Sequence, residues 1–195
     1  MSARSLRAIL LVGDNGSGDQ IIQHLDGIRD EVVARRATSE HALLDMISEG
    51  EADVVLTDRP LSTSDSYRAI RMRRPEAAII LVADRLDEET VVTFLREGAD
   101  DLVLCANLPR LRRAVQESID ARKPLSKLSP RQIEVLIRVA EGNSTREIAE
   151  ALGLSAKTVE SHRGAMMKRL GIHDLANLVR YAVRMGLVHN GDGAA

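Results

Sequence analysis

Four short, nearly unbroken apolar runs constrain this chain more than any other feature: Ala8–Val12 (AILLV), Val54–Thr57 (VVLT), Ala78–Ala83 (AIILVA) and Leu102–Cys105 (LVLC). A strand with one wet face alternates apolar and polar residues. A continuous apolar run of this length, rich in Val and Ile, instead reads as a strand covered on both faces. A weaker candidate, Asp30–Ala37, lies between the first two. Helical patterns separate and follow the runs, at Gly18–Leu25, Ser39–Glu49, Ser66–Arg73, Glu88–Glu97 and Leu108–Ala121. Strands that alternate with helices build an open parallel sheet with helices on both faces, here a five-stranded doubly wound α/β domain. Such sheets bind ligands beyond the carboxyl ends of their strands.

The alternation stops at RKPLSKLSP, Arg122–Pro130, and everything beyond it is helical. Ser129 and Pro130 open one helix, with Gly142 as its stop. Ser144 with Glu147 forms a capping signal for a second, which stops at Gly153. A third runs from Ser155 to Gly171 and a fourth from Asp174 to Gly186, giving an all-α, four-helix domain. The expected division is a first domain over 1–121, a linker over 122–127, a second domain over 128–190 and a tail over 191–195. Charge divides the same way. Met1–Lys123 holds 17 Lys/Arg against 22 Asp/Glu (−5), and Pro124–Ala195 holds 10 against 7 (+3), which together make the net −2. The basic second half suits a polyanionic partner.

Cys105 is the only cysteine, which excludes an intramolecular disulfide and a cysteine-based zinc site. No apolar stretch reaches the roughly 20 residues that span a bilayer. The opening MSARSLRAILLVGD reads as mature chain feeding a strand, and the expected location is cytoplasmic with no membrane partner. The glycine-rich LLVGDNGSGDQ, Leu10–Gln20, invites a nucleotide-binding reading. Gly13 and Gly18 have P-loop spacing, but Asp19 stands where the lysine belongs; as a dinucleotide fingerprint, Gly16 and Gly18 are followed by Ile21 at the third glycine position. A nucleotide-binding enzyme on the α/β half is therefore the remote alternative, and the chain is expected not to be an enzyme.

The two helices joined by Gly153–Ser155 have the form of a helix-turn-helix, whose second helix enters the major groove. Val159, His162, Met166 and Leu170 recur at helical spacing as its core stripe. Lys157, Glu160, Ser161, Gly164 and Lys168 make the opposite, polar stripe. His162 reads as a packed histidine, and Met166 and Met167 as core filler. Periodicity alone fits a solvated helix face equally well.

The segment Leu128–Val188, with LSPRQ, EVL, AEGNS, EIA, LGLS, KTVESH and KRLGI in order, closely resembles the LuxR-type helix-turn-helix of NarL/FixJ-family response regulators. That resemblance implies double-stranded DNA as partner and a homodimer formed on the last helix, Asp174–Met185. It implies a recognition helix over Ala156–Leu170 whose groove positions are Lys157, Glu160, Ser161 and Gly164. Phosphate contacts would fall to Thr145, Arg146, Lys168 and Arg169, with Thr158 and Arg163 also on the DNA-binding list. For Arg163 the alternative is a pair with Glu134 or Glu160.

The first half then resembles a CheY-like receiver domain. Asp58, in VVLTDRPL, stands at the phospho-acceptor position. The family's Mg²⁺-binding acidic pair falls on Gly13 and Asp14, so that Asp14 and Asp58 are the only carboxylates left for a metal. The hydroxyl position is read as Val82 and the lysine position is Cys105. The loop proline falls at Pro60 rather than at position 62, which is Ser62. Losing a carboxylate weakens a hard-cation site, and losing the lysine removes a fixed charge from the phosphoryl group. The expectation is an atypical receiver that binds no cofactor and does not use conventional Mg²⁺-dependent phosphorylation. The alternative is a conventional regulator phosphorylated on Asp58 by a histidine kinase. Cys105 is read as a small, buried cysteine rather than a redox sensor.

Overall fold

A computed structural model describes residues 5–13, 17–26, 28, 31–50, 52–85 and 87–188. The chain divides into two compact units, Met1–Arg122 and Lys123–Ala195. In the first, β1 (Leu6–Leu11), β2 (Val32–Arg36), β3 (Val54–Thr57), β4 (Ala78–Ala83) and β5 (Asp101–Leu104) alternate with α1 (Ser17–Leu25), α2 (Glu40–Glu49), α3 (Ser64–Arg73), α4 (Glu88–Arg96) and α5 (Leu111–Arg122). All strand pairs are parallel, in the order β2-β1-β3-β4-β5. Strand order reverses between β1 and β3, so the carboxyl ends of those two strands form the crevice where doubly wound sheets hold their chemistry.

Alternation along each strand divides the core into two layers. Ala8, Leu10, Leu56, Ile80, Val82 and Val103 face α1 and α5, where Ile21, Leu25, Leu111 and Val115 meet them. Ile9, Leu11, Val55, Ile79 and Leu81 face the other way, toward Leu43 and Ile47 of α2, Tyr67 and Ile70 of α3, and Phe94 of α4. Burial on both faces is why β3 and β4 lack polar alternation. β2, at the sheet's edge, is only half-buried. Ser39, Thr63 and Asp87 cap α2, α3 and α4 through their side chains.

Two expected boundaries shift. Cys105 does not end β5 but begins a 3-10 turn, Cys105–Arg110, and α5 starts at Leu111 rather than Leu108. Pro109 lies in that turn; it supplies no N–H and disfavours helical geometry in the residue before it. The stretch 122–127, expected as a linker, is ordered. Arg122 is the buried last residue of α5, while Lys123–Lys127 form a 3-10 turn that sinks Leu125 into the second unit's core.

The second unit contains α6 (Pro130–Ala140), α7 (Thr145–Leu152), α8 (Ala156–Leu170) and α9 (Leu175–Arg184). Ser129 with Gln132 and Ser144 with Glu147 close reciprocal capping boxes, and Ser155 and Asp174 cap α8 and α9. Gly153 and Gly171 end α7 and α8 in the left-handed conformation, at φ +63° and +67°. Glycine adopts that conformation without the steric cost of a Cβ. α6 packs against α7, α8 and α9 around Ile133, Leu136, Ile148, Val159, Met166 and Leu178.

Candidate nucleic-acid interface and acceptor edge

Asp58 is the first residue beyond β3, at the crevice, with 19% of its side chain exposed. Both of its carboxylate oxygens are engaged. The Gly13 N–H, just past β1, donates to Oδ2 at 2.6 Å, and Arg59 Nη1 donates to Oδ1 at 2.8 Å. A Cβ added at Gly13 would lie 3.4 Å from Asp58 Oδ2, an ordinary van der Waals contact. Thr57 is buried beneath, its hydroxyl donating to the Arg59 carbonyl at 2.6 Å and fixing the turn.

The loop after the acceptor is pinned from α2. Glu40 Oε1 accepts from the Ser62 N–H and the Ser62 hydroxyl, both at 2.7 Å, and Oε2 accepts from the Ser66 hydroxyl at 2.8 Å. Burial alone would raise the Glu40 pKa, but these hydrogen bonds and the nearby Arg59 charge outweigh it and hold the carboxyl below its usual range. Leu61 is buried, and its N–H donates to the Tyr67 hydroxyl at 3.1 Å. Neither Glu40 nor the Arg59 contact was anticipated. Glu40 lies 22 residues from Ser62 with no periodic signal to link them, whereas Arg59 was visible as the cation adjacent to the acceptor.

Asp14 lies outside the described residues. Val82 is 1% exposed, in the layer under α1 and α5; continued by one step, the β3–β4 register that pairs Thr57 with Leu81 sets it level with Asp58, where it offers no hydroxyl. The strand's last residue is Ala83, one position on, and it likewise carries no hydroxyl. Cys105 is half-buried. Burial, a hydrogen bond with Asp84 and the charges of Asp84 and Asp58 push its thiol up to about 11. Among the described residues no group of three or more His, Cys, Asp and Glu is placed to hold a metal ion.

In the second unit, Lys157, Glu160, Ser161, Gly164 and Lys168 are all exposed along α8, while Val159 and Met166 are buried and His162 is half-buried. Arg146 is exposed in the first turn of α7, and Thr145 is its half-buried first residue. Two residues of the expected DNA-binding list are committed elsewhere. Thr158 Oγ1 shares a 2.7 Å hydrogen bond with the capping Ser155 hydroxyl. Arg169, though exposed, donates to Gln132 Oε1 and to the Lys127 carbonyl, tying α8 to α6 and the 3-10 turn. Arg163 is half-buried, and Glu134, one of its candidate partners, pairs with Arg131 instead.

Residues 126–182 match the luxR family of bacterial regulatory proteins. The chain is 29% identical to the uncharacterized transcriptional regulatory protein YhcZ of Bacillus subtilis, over 80% of this chain and 85% of that one. It is also 29% identical to the oxygen regulatory protein NreC of Staphylococcus aureus, over 81% of this chain and 87% of that one. Among solved structures, full-length FixJ from B. japonicum superposes with a TM-score of 0.50 at 21% identity, covering 93% of this chain and 98% of the other; that likeness is one of fold.

Proposed function

We propose that the chain is a NarL/FixJ-family response regulator, a DNA-binding transcription regulator by type, which binds operator DNA as a homodimer while its receiver domain works without conventional Mg²⁺-dependent phosphorylation. One observation carries the receiver half of this reading: beside Asp58, position 13 offers a backbone N–H, which donates to Oδ2, where a metal would need an oxygen ligand. Mg²⁺ fits this arrangement poorly. The ion takes oxygen ligands and keeps several waters, whereas the place beside Asp58 holds a protein cation and position 13 carries no carboxylate. The lysine position is a half-buried thiol that stays protonated at neutral pH, so it lends a phosphoryl group no positive charge.

The DNA half rests on α8, whose exposed stripe combines Lys157 and Lys168 with Ser161 and Glu160, and on Arg146 at the start of α7. Cations on phosphates position such a helix, and base-edge contacts then specify the sequence. α9 exposes Leu175, an apolar residue suited to a partner copy.

The test is treatment of the full chain with acetyl phosphate and Mg²⁺, followed by intact mass and DNA-affinity measurement. Unchanged mass and unchanged affinity are expected. A stoichiometric phosphate adduct, absent from Asp58→Ala and tightening DNA binding, would establish the conventional kinase-driven alternative instead. Lys157→Ala combined with Arg146→Ala should weaken binding and flatten its dependence on salt; unchanged binding places another face in the groove.

A further inference from the structure

Two residues on the outward face of α8 serve nothing within their own domain. Gly164 lies inside a 15-residue helix, and a Cβ added there meets no atom within 4 Å. Its φ is not positive, so the backbone does not require glycine. Glycine is nonetheless the poorest helix former after proline. The domain has room for a Cβ at 164, and any residue but proline would favour the helix more than glycine does. Close approach of something outside the domain is the remaining physical use for a missing Cβ.

Glu160 sits one turn earlier on the same face, exposed, and its carboxylate makes no hydrogen bond or ion pair among the described residues. Lys157, Glu160, Ser161 and Gly164 follow the i, i+3, i+4, i+7 spacing of one helix stripe. A bare carboxylate on a surface that meets DNA is repelled by every phosphate, so its presence is offset only where it meets a hydrogen-bond donor. In the major groove the exposed donors are the amino groups of cytosine and adenine. A carboxylate accepts from cytosine N4, whereas adenine, with a donor beside an acceptor, suits Asn or Gln. Positions 160 and 164 are about 6 Å apart along the helix axis, close to two base-pair steps.

We propose that α8 enters the major groove with its backbone at Gly164 in closest approach to the duplex, and that this depth brings the Glu160 carboxylate to a cytosine N4, so that Glu160 selects a C·G pair in each half-site. The proposal rests on α8 being the recognition helix. It adds which base chemistry that helix prefers and which residue sets its depth.

The experiment selects binding sites for the full chain from a random pool of duplex oligonucleotides. Affinity and thermal melting are then measured for Gly164→Ala, Glu160→Ala and Glu160→Gln. Gly164→Ala is expected to melt at a higher temperature yet bind the selected operator about tenfold more weakly or worse, the loss produced by one displaced base contact. Glu160→Ala is expected to lose about tenfold discrimination at one C·G pair per half-site while binding unrelated duplexes more tightly. Glu160→Gln should shift the preference at that pair toward adenine. If Gly164→Ala binds as tightly as the parent chain, or Glu160→Ala enriches the same consensus, the proposal is overturned and the recognition-helix reading stands. If the parent chain enriches no sequence at all, that reading falls and the proposal with it.

Discussion

Replacing Asp100 by asparagine removes the negative charge between two buried guanidinium groups. Asp100 Oδ1 accepts from Arg122 Nε at 2.6 Å, and Oδ2 accepts from Arg71 Nη2 at 2.9 Å and from the Ile79 N–H at 2.7 Å. The side chains of Arg71, Arg122 and Asp100 are 0%, 2% and 14% exposed. Burial, reinforced by the neighbouring Arg122 charge, pushes the Arg71 guanidinium down to about 9, and Asp100 opposes that fall. Arg71 therefore stays charged at neutral pH, and the substitution takes from two buried cations the carboxylate they share. Breaking a buried pair from one side costs about 3–5 kcal/mol. Carbonyl acceptors remain, Ala77 and Gly98 for Arg71 and Pro75 for Arg122, which places the expectation at the lower end, about 3 kcal/mol.

For a unit of this size that loss lowers the melting temperature by about 10–15 °C. Tyr67 lies in the first unit and Tyr181 in the second, and the chain has no tryptophan. Urea unfolding followed by tyrosine fluorescence and by amide exchange resolves which unit is affected. The first unit should shift to lower urea at unchanged slope, with the second unmoved. Adding Arg71→Met to Asp100→Asn should recover part of the loss, because the fully buried guanidinium that had lost its carboxylate is then gone. A loss of about 0.5 kcal/mol or less, the range of an ordinary surface substitution, would refute the reasoning.

Cys105 should react with iodoacetamide about 100-fold more slowly than an unperturbed thiol at pH 8, since the thiolate is the nucleophile and its pKa is raised from 9.0 to about 11. The rate should climb through pH 10 and turn over near 11. Because the folded chain keeps a proton that the unfolded chain loses, stability from this group should fall as pH rises across the same window. Reaction at the unperturbed rate at pH 8 would contradict the burial argument. Gly13→Asp puts a carboxylate beside Asp58 on a Cβ that only touches Oδ2, so millimolar Mg²⁺ should raise the melting temperature of the variant and leave the parent chain unchanged. A flat response in the variant would show that the missing carboxylate is not what weakens the metal site.

Legibility in the sequence followed the range of the interactions. β3 and β4 match their apolar runs residue for residue, because burial on both faces writes itself directly into composition. The caps at Ser129, Ser144, Ser155 and Asp174 bond within three residues of themselves, so their pattern is local. The face of α8 was legible from helical period alone. What could not be read were long-range polar contacts. Glu40 to Ser62, Arg71 to Asp100 and Arg122 to Pro75 span 22, 29 and 47 residues and leave no periodic trace. The 122–127 stretch looked like a linker because Pro124, Ser126 and its cations are linker-like, while the burial of Leu125 depends on helices further along the chain.

Arg59 alone would not make Asp58 resist phosphorylation. Its side chain is half exposed, and an ion pair so hydrated is worth about 1 kcal/mol at most. A phosphoryl group carrying more charge than a carboxylate would draw the same guanidinium to itself. The obstacle is what the chain no longer supplies around Asp58. Position 13 offers an N–H where a metal needs an oxygen, and position 105 offers a neutral thiol where a phosphoryl group needs a cation. These are deficits in the stabilisation of charge that builds up during transfer, and removing a weak competitor does not repair them. Removing Arg59 therefore frees an oxygen of Asp58 without making it a better acceptor, whereas a carboxylate at 13 changes the chemistry of the crevice itself.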